Sequence, residues 1–360
     1  MSGVPVEAVA AAYGLGEPVG AAVYAARGEL GRIWRLGTRR GPWAVKELLV
    51  PVREEDARAD VAFQLAAAEA GVRLPRPVLT EKGEVVAGGR WRVYEWVDLV
   101  EGAQVTAAEL GAVTAGLHGI GHPAAGPVAA WFAKPVGRAG WEALAAVAAA
   151  SDGGAGGPRG DGGAAIDGVP ADGGAGGGGE AAIDGAAGES RGWREALRES
   201  VGELVALDEL VMPPDPAAVV TCHRDITPDN IRRAASDGGI VVLDWENCGP
   251  ARPAWELAKV LADLPDGAAI PAYRAYWDAG GPGRVTEPAD FSMAIAEQGH
   301  LLEFYARRAM NPEESEENRT RAGARLRAML ARPLTRDRVE RLVGECTRAD
   351  VPAPLSGTYV

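Results

Sequence analysis

HRDITPDN, His223 to Asn230, is followed after a short polar stretch by GIVVLDWE, Gly239 to Glu246. The octet places Asp225 five residues before Asn230, and the second run is apolar and β-branched and delivers Asp244 near its end. Phosphoryl transfer to a hydroxyl asks little covalent chemistry of a protein. It needs a carboxylate to orient and deprotonate the hydroxyl, and oxygen ligands to hold magnesium on the phosphates. Asp225 fits the first task, and Asn230 and Asp244 offer one neutral and one charged ligand for the metal. His223 reads as a structural hydrogen-bonder.

Working outward, RIWRLGT and WAVKELLV are two short strand-like runs joined by the turn cluster Thr38 to Pro42, which predicts a hairpin. Lys46, in the second run, suits a lysine reaching the α- and β-phosphates of ATP. Such a lysine calls for an acidic partner. Asp60, Glu54 and Glu55 are the candidates on the helix-forming stretch 53–70, which Gly71 closes. RGELGRIW, Arg27 to Trp34, is the expected phosphate-covering turn, with Gly28 and Gly31. YEWVDL, Tyr94 to Leu99, reads as a connection between two lobes, where an adenine would bond to backbone groups around Glu95 and Val97.

After Val105 the pattern turns helical, with Leu110, Val113, Leu117 and Ile120 at helical spacing. The expected fold is therefore α+β and bilobal: a small β-rich lobe over 1–97, and a larger α-rich lobe over 98–360 carrying the catalytic loop, metal and acceptor sites. Residues 151–190 are dominated by Gly, Ala and Asp and cannot bury enough apolar surface to offset their ordering entropy, so a disordered insertion is expected there.

The net charge of −13 argues against nucleic acid as a partner, since a phosphate backbone needs a basic surface. Three cysteines without paired spacing fit a reducing cytoplasm and small buried hydrophobes. The N-terminus lacks the basic and apolar regions of a signal peptide, and no apolar run is long enough to span a membrane, so a cytoplasmic protein is expected. His118 and His122 form an HxxxH, but Gly119 and Gly121 weaken a helix there and no acid or Cys lies close in sequence, so it is not read as a metal site. Glu297, His300 and Glu303 share one arc of a helix-like stretch. They read as the solvated edge of a core helix or as an acidic face for a cationic acceptor. PEESEEN, from Pro312, reads as an exposed acidic loop.

Taken together, YGL near the start, the Gly28 region, Lys46, AGVRLPRPV, LGAVTAGLH, the octet and VVLDWE resemble the aminoglycoside phosphotransferase family. This is a branch of the protein-kinase-like fold that phosphorylates small molecules and includes choline and fructosamine kinases. The resemblance implies an ATP-dependent, magnesium-dependent kinase with a small-molecule hydroxyl acceptor, Asp225 as base, and Asn230 and Asp244 on the metal. Four positions depart from the family's usual residues. Asp60 stands where the lysine's glutamate is usual, Arg224 replaces a glycine, Thr227 a histidine, and Glu256 an aspartate. Glu256 is expected to be a structural cap or core-edge residue. A protein kinase is a weaker reading, because a helix begins near Ala254, ten residues after Asp244, leaving little room for an activation segment. A nucleotide-binding regulatory protein without turnover is a second alternative.

Overall fold

The computed structural model describes residues 3–28, 31–150 and 192–350; the stretch 151–190, read above as an insertion, lies outside the described residues. The chain opens with α1 (Val6–Ala12), then β1 (Val23–Arg27), β2 (Gly31–Thr38), β3 (Gly41–Leu48), α2 (Glu54–Glu69), β4 (Pro77–Val78) and β5 (Trp91–Glu95). The five strands form one antiparallel sheet in the order β1-β2-β3-β5-β4. The expected hairpin is β2–β3, paired from Gly31 with Leu48 to Thr38 with Gly41. Strand alternation sorts its residues. Leu36, Val45 and Val93 turn to one face and pack with Val9, Ala10 and Tyr13 around α1. Lys46, Arg92 and Tyr94 fall on the opposite face.

The chain leaves the sheet at β5, and residues 98–100 dock on the second lobe. Val100 N–H donates to Arg233 O (2.8 Å) and Ala235 N–H to Asp98 O (2.8 Å). Then follow α3 (Ala107–Gly119), α4 (Ala130–Ala133), α5 (Gly137–Ala150), α6 (Trp193–Asp208), β6 (Val220–Cys222), β7 (Ile231–Arg233), β8 (Ile240–Val242), β9 (Gly249–Ala251), α7 (Pro253–Asp263), α8 (Ala269–Asp278), α9 (Ser292–Met310), α10 (Glu316–Ala331) and α11 (Arg336–Ala349). Two short ladders, β6–β9 and β7–β8, carry the octet and Asp244 between them. The fold is thus α+β and bilobal, β-rich in β1–β5 and α-rich afterwards.

α3 starts at a capping box, Thr106 with Glu109, and buries Leu110 and Leu117 in a core shared with Leu257, Leu261, Tyr273 and Phe291. It lies so close to α8 that a Cβ at Gly111 would sit 2.0 Å from Ala272 O. The acidic run after Pro312 is only partly a loop. Ser315 caps α10, and Glu316 and Glu317 lie in its first turn, where the helix dipole favours negative charge. Among the described residues no helix is long and apolar enough to cross a membrane.

Candidate active site

The octet hangs from β6 and is held from below. Arg224 has φ 64°, a left-handed conformation that costs a residue with a Cβ free energy. Three sets of contacts hold it there. Its backbone N–H donates to the Glu256 carboxylate. Its Nε donates to Asn247 O (2.5 Å) and its Nη2 to Cys248 O (3.1 Å). Its guanidinium lies over the Phe132 ring at 4.3 Å. His223 bonds Leu243 O through Nε2 (3.1 Å) and packs edge-on against Trp245, as a structural residue would. Thr227 O accepts the N–H groups of Asn230 (3.0 Å) and Ile231 (3.1 Å), which closes the turn.

This framework delivers Asp225 to a nearly solvent-free position, 1% exposed. Its Oδ2 accepts from Asn230 Nδ2 (2.9 Å) and Asn247 Nδ2 (3.3 Å), while its Oδ1 is buried without a hydrogen-bond partner. An unpaired buried carboxylate oxygen is costly unless a donor comes to it, and a substrate hydroxyl is such a donor. Burial pushes the Asp225 carboxyl well above the usual range. Lys259 opposes this, and Asp244 and Glu297 add to it.

Asp244 follows β8 and is also left-handed, with φ 58°. It meets the sheet lobe there: Lys46 Nζ lies 3.0 Å from Asp244 Oδ1 and 2.7 Å from Glu246 Oε2. Burial alone would lower the Lys46 ammonium, but Asp244 and Glu246 outweigh it and hold the lysine protonated. For Glu246 burial again works against the charge, and Lys46 and Arg92 overcome it, leaving the carboxyl well below its ordinary range. The expected acidic partner on α2 is not what Lys46 bonds. Asp60 lies 3.3 Å from Arg92, Glu54 accepts from Val85 and Val86 N–H and pairs with Arg58, and Glu55 pairs with Arg53. Gly28 N–H donates to Gly31 O (2.9 Å) across the turn, whose tip lies outside the described residues. Gly31 packs on the Lys46 stem, which a Cβ there would approach to 2.9 Å. At the crossing, Glu95 N–H is taken by Arg76 O (2.8 Å) and Val97 is half-buried.

The phosphotransferase enzyme family model matches residues 23–291, three quarters of the chain, and spans all these elements. The chain belongs to the phosphotransferase enzyme family. Membership supports an enzymatic, ATP-dependent phosphotransferase role in general terms. Among solved structures, a spectinomycin phosphotransferase in complex with ADP and spectinomycin is similar in fold. Its TM-score is 0.59 at 11% identity, over 95% of this chain and 97% of that one. The AMP-bound form of a spectinomycin phosphotransferase gives 0.57 at 12%, over 94% and 96%. An aminoglycoside phosphotransferase from Alicyclobacillus acidocaldarius gives 0.49 at 16%, over 90% and 91%. No curated protein matches the sequence.

Among the described residues, two places present side chains that could ligate a metal. Around Asp225 the donors are the Asp244 carboxylate, the Asn230 side chain and Asn247 Oδ1, which is buried without a hydrogen-bond partner. These are hard oxygen donors, the chemistry that magnesium prefers. The second place joins His118, Cys222 and Glu256, whose ligand atoms lie within 4.8 Å of one another. Its donors suit a softer metal than magnesium, and they are already committed. His118 Nε2 bonds Glu256 (2.6 Å), His118 Nδ1 bonds the Tyr276 hydroxyl (2.9 Å), Glu256 takes Arg224 N–H, and Cys222 Sγ donates to Ala251 O (3.6 Å). Burial holds the Cys222 thiol protonated. The cluster is a hydrogen-bonded prop beneath Arg224, so Glu256 lies within the core, completely buried.

Four residues near the site carried no role in the sequence reading: Glu246, Asn247, Arg92 and Lys259. Lys259 is 6% exposed on α7, with Asp263 at 2.9 Å and Glu297 at 3.6 Å. A lone lysine inside the apolar run ELAKVL was the available signal. Glu297 is buried, not on a solvated edge. Its neighbours on the arc face each other, His300 Nδ1 lying 3.8 Å from Glu303, while His300 also stacks on Trp131 at 5.0 Å and Glu303 also bonds Arg307.

Proposed function

We propose that this chain transfers the γ-phosphoryl group of ATP to a hydroxyl of a small molecule, an amine-bearing alcohol being the acceptor class considered first. Asp225 orients the hydroxyl and accepts its proton. Asn230 and Asp244 hold magnesium, which when bound neutralises charge on the phosphates. Lys46 engages the phosphates beneath the turn of Gly28 and Gly31, and the crossing at Glu95 and Val97 takes the base. In this reading residues 1–97 form the nucleotide lobe and 98–360 the catalytic and acceptor lobe.

The observation that carries the proposal is the meeting of Lys46, from the sheet, with Asp244, from the loop after β8, at 3.0 Å. Such a meeting of a cation and an anion from different lobes supports the reading, because a metal–phosphate group would sit between such a pair. In this reading the buried carboxylates Asp225 and Glu297 would face the acceptor, which favours an amine.

Magnesium-dependent ATP consumption against a panel of amino alcohols, aminoglycosides and neutral sugars, with products read by mass spectrometry, tests both parts. Asp225→Asn should lower turnover by about a thousandfold, the loss expected of a general base. Turnover that survives this substitution would overturn the catalytic assignment. Phosphorylated neutral sugars with no phosphorylated amines would overturn the acceptor class.

A further inference from the structure

Lys46 and Arg92 are direct cross-strand partners on β3 and β5. Two cations opposite each other on one face of a sheet repel, and here Lys46 is half-buried and Arg92 is buried to 1% exposure. Anions from two other elements compensate. Glu246 reaches Lys46 at 2.7 Å through one oxygen, and through the other lies 3.9 Å from Arg92 and accepts the Tyr94 hydroxyl at 2.7 Å. Asp60, from α2, lies 3.3 Å from Arg92. The charges therefore alternate along a chain that crosses between the lobes: Asp60, Arg92, Glu246, Lys46. The helix carboxylate is coupled to the lysine through Arg92 and not by direct contact.

We infer that Arg92 is a positioning residue for nucleotide binding: it fixes Glu246 against Lys46 and ties that pair to α2. This rests on the phosphotransferase reading above. A direct lysine–helix pair makes the helix itself orient the lysine. Here Asp60, one methylene shorter than glutamate, engages the intervening arginine through Nη1, and the same nitrogen is the one that lies 3.9 Å from Glu246. The segment after Asp244 then orients the lysine, and Asp60 acts on it at second hand. A purely structural Arg92 would stabilise the sheet and leave phosphate recognition alone.

Calorimetry on the full chain separates the two with magnesium–ADP and adenosine as probes, since only the first carries phosphates for Lys46. Arg92→Met should weaken magnesium–ADP by about tenfold, a coupling of ordinary size, and leave adenosine affinity unchanged. In a Lys46→Ala background the same substitution should cause no further loss, because its effect passes through the lysine. Equal losses for both probes, or losses that multiply in the double variant, would overturn the inference. Asp60→Asn keeps the volume and removes the charge, and carries the test if Arg92→Met does not fold. It should weaken magnesium–ADP several-fold and spare adenosine, and unchanged affinity would refute the relay. A wild-type chain that binds neither probe would refute the phosphotransferase reading itself, which a failure of the relay alone would leave standing.

Discussion

Arg224 occupies a left-handed position where the family usually has glycine, so replacing it with Ala and with Gly should give an order set by backbone strain. Arg224→Ala removes charged donors from the carbonyls of Asn247 and Cys248, both buried. Each loss costs roughly 2 kcal/mol when the acceptor stays buried, and losing the Phe132 stacking costs about 1 more. The alanine variant keeps φ near 64° and its strain. It should therefore be destabilised by about 5 kcal/mol. Arg224→Gly loses the same contacts but relieves the strain, worth about 1 kcal/mol after the greater freedom of glycine in the unfolded chain is counted. The glycine variant should be the more stable, with a thermal midpoint about 1.5 °C above the alanine variant. Tryptophan fluorescence melts of wild type and both variants measure this, with Trp245 packed beside His223 as one reporter. A glycine variant no more stable than the alanine variant would refute the strain argument. Two variants that melt with wild type would refute the arginine's structural role as well.

Burial pushes the Glu297 carboxyl up to about 7, with Lys259 pulling the other way. Between the ordinary carboxylate range and that value the folded chain holds a proton that the unfolded chain has released. Stability should therefore fall as pH rises through this window, by at most about 3 kcal/mol. Glu297→Gln should flatten that part of a pH series of urea melts, and an unchanged slope would count against it. Gly111→Ala forces a Cβ against Ala272 O and should cost about 3 kcal/mol as α3 and α8 separate, so a wild-type midpoint would contradict the close approach. Glu256→Ala strands Arg224 N–H and His118 in the core and should cost about 3 kcal/mol, read by the same melts.

How far the sequence could be read depended on whether each feature is local in the chain. The hairpin, α2 and the strand before Asp244 follow from turn residues and apolar periodicity, and the structure has them within a few residues of the expected bounds. The bilobal α+β arrangement followed from the same order of elements. Ion-pair partners were not legible. The lysine's partner was sought on α2, the nearest acidic helix in sequence, whereas Glu246 is two hundred positions from Lys46 and reaches it only through the packing of the lobes. Arg92 alternates with Trp91 and Val93 like any strand residue, and nothing in RWRVYE marks it as buried. Glu297 shared a helical arc with His300 and Glu303, but periodicity gives an angle and not the depth of the neighbouring wall. Lys259, which covers Glu297, lies on another helix. The acidic stretch after Pro312 was read from its charge, and its capping serine, which starts α10, was passed over.

The two left-handed residues divide the support of the site. Arg224, immediately before the proposed base, is restrained in the α-rich lobe by Glu256, by two carbonyls of the segment after Asp244 and by Phe132. Tyr276 accepts Gly283 N–H (2.7 Å) and bonds His118, which bonds Glu256, so the chain of hydrogen bonds runs from α8 through α3 and α7 to the octet. Such a buried polar chain is costly if any member is missing, but complete it admits one arrangement. Asp244 is restrained differently, by Lys46 across the lobe interface and, through the adjoining Glu246, by Arg92 and Tyr94. Its geometry therefore depends on how the lobes meet. The two strained residues are thus tied together by the segment after Asp244, since Asn247 and Cys248 hold Arg224 and Asn247 also donates to the proposed base, Asp225.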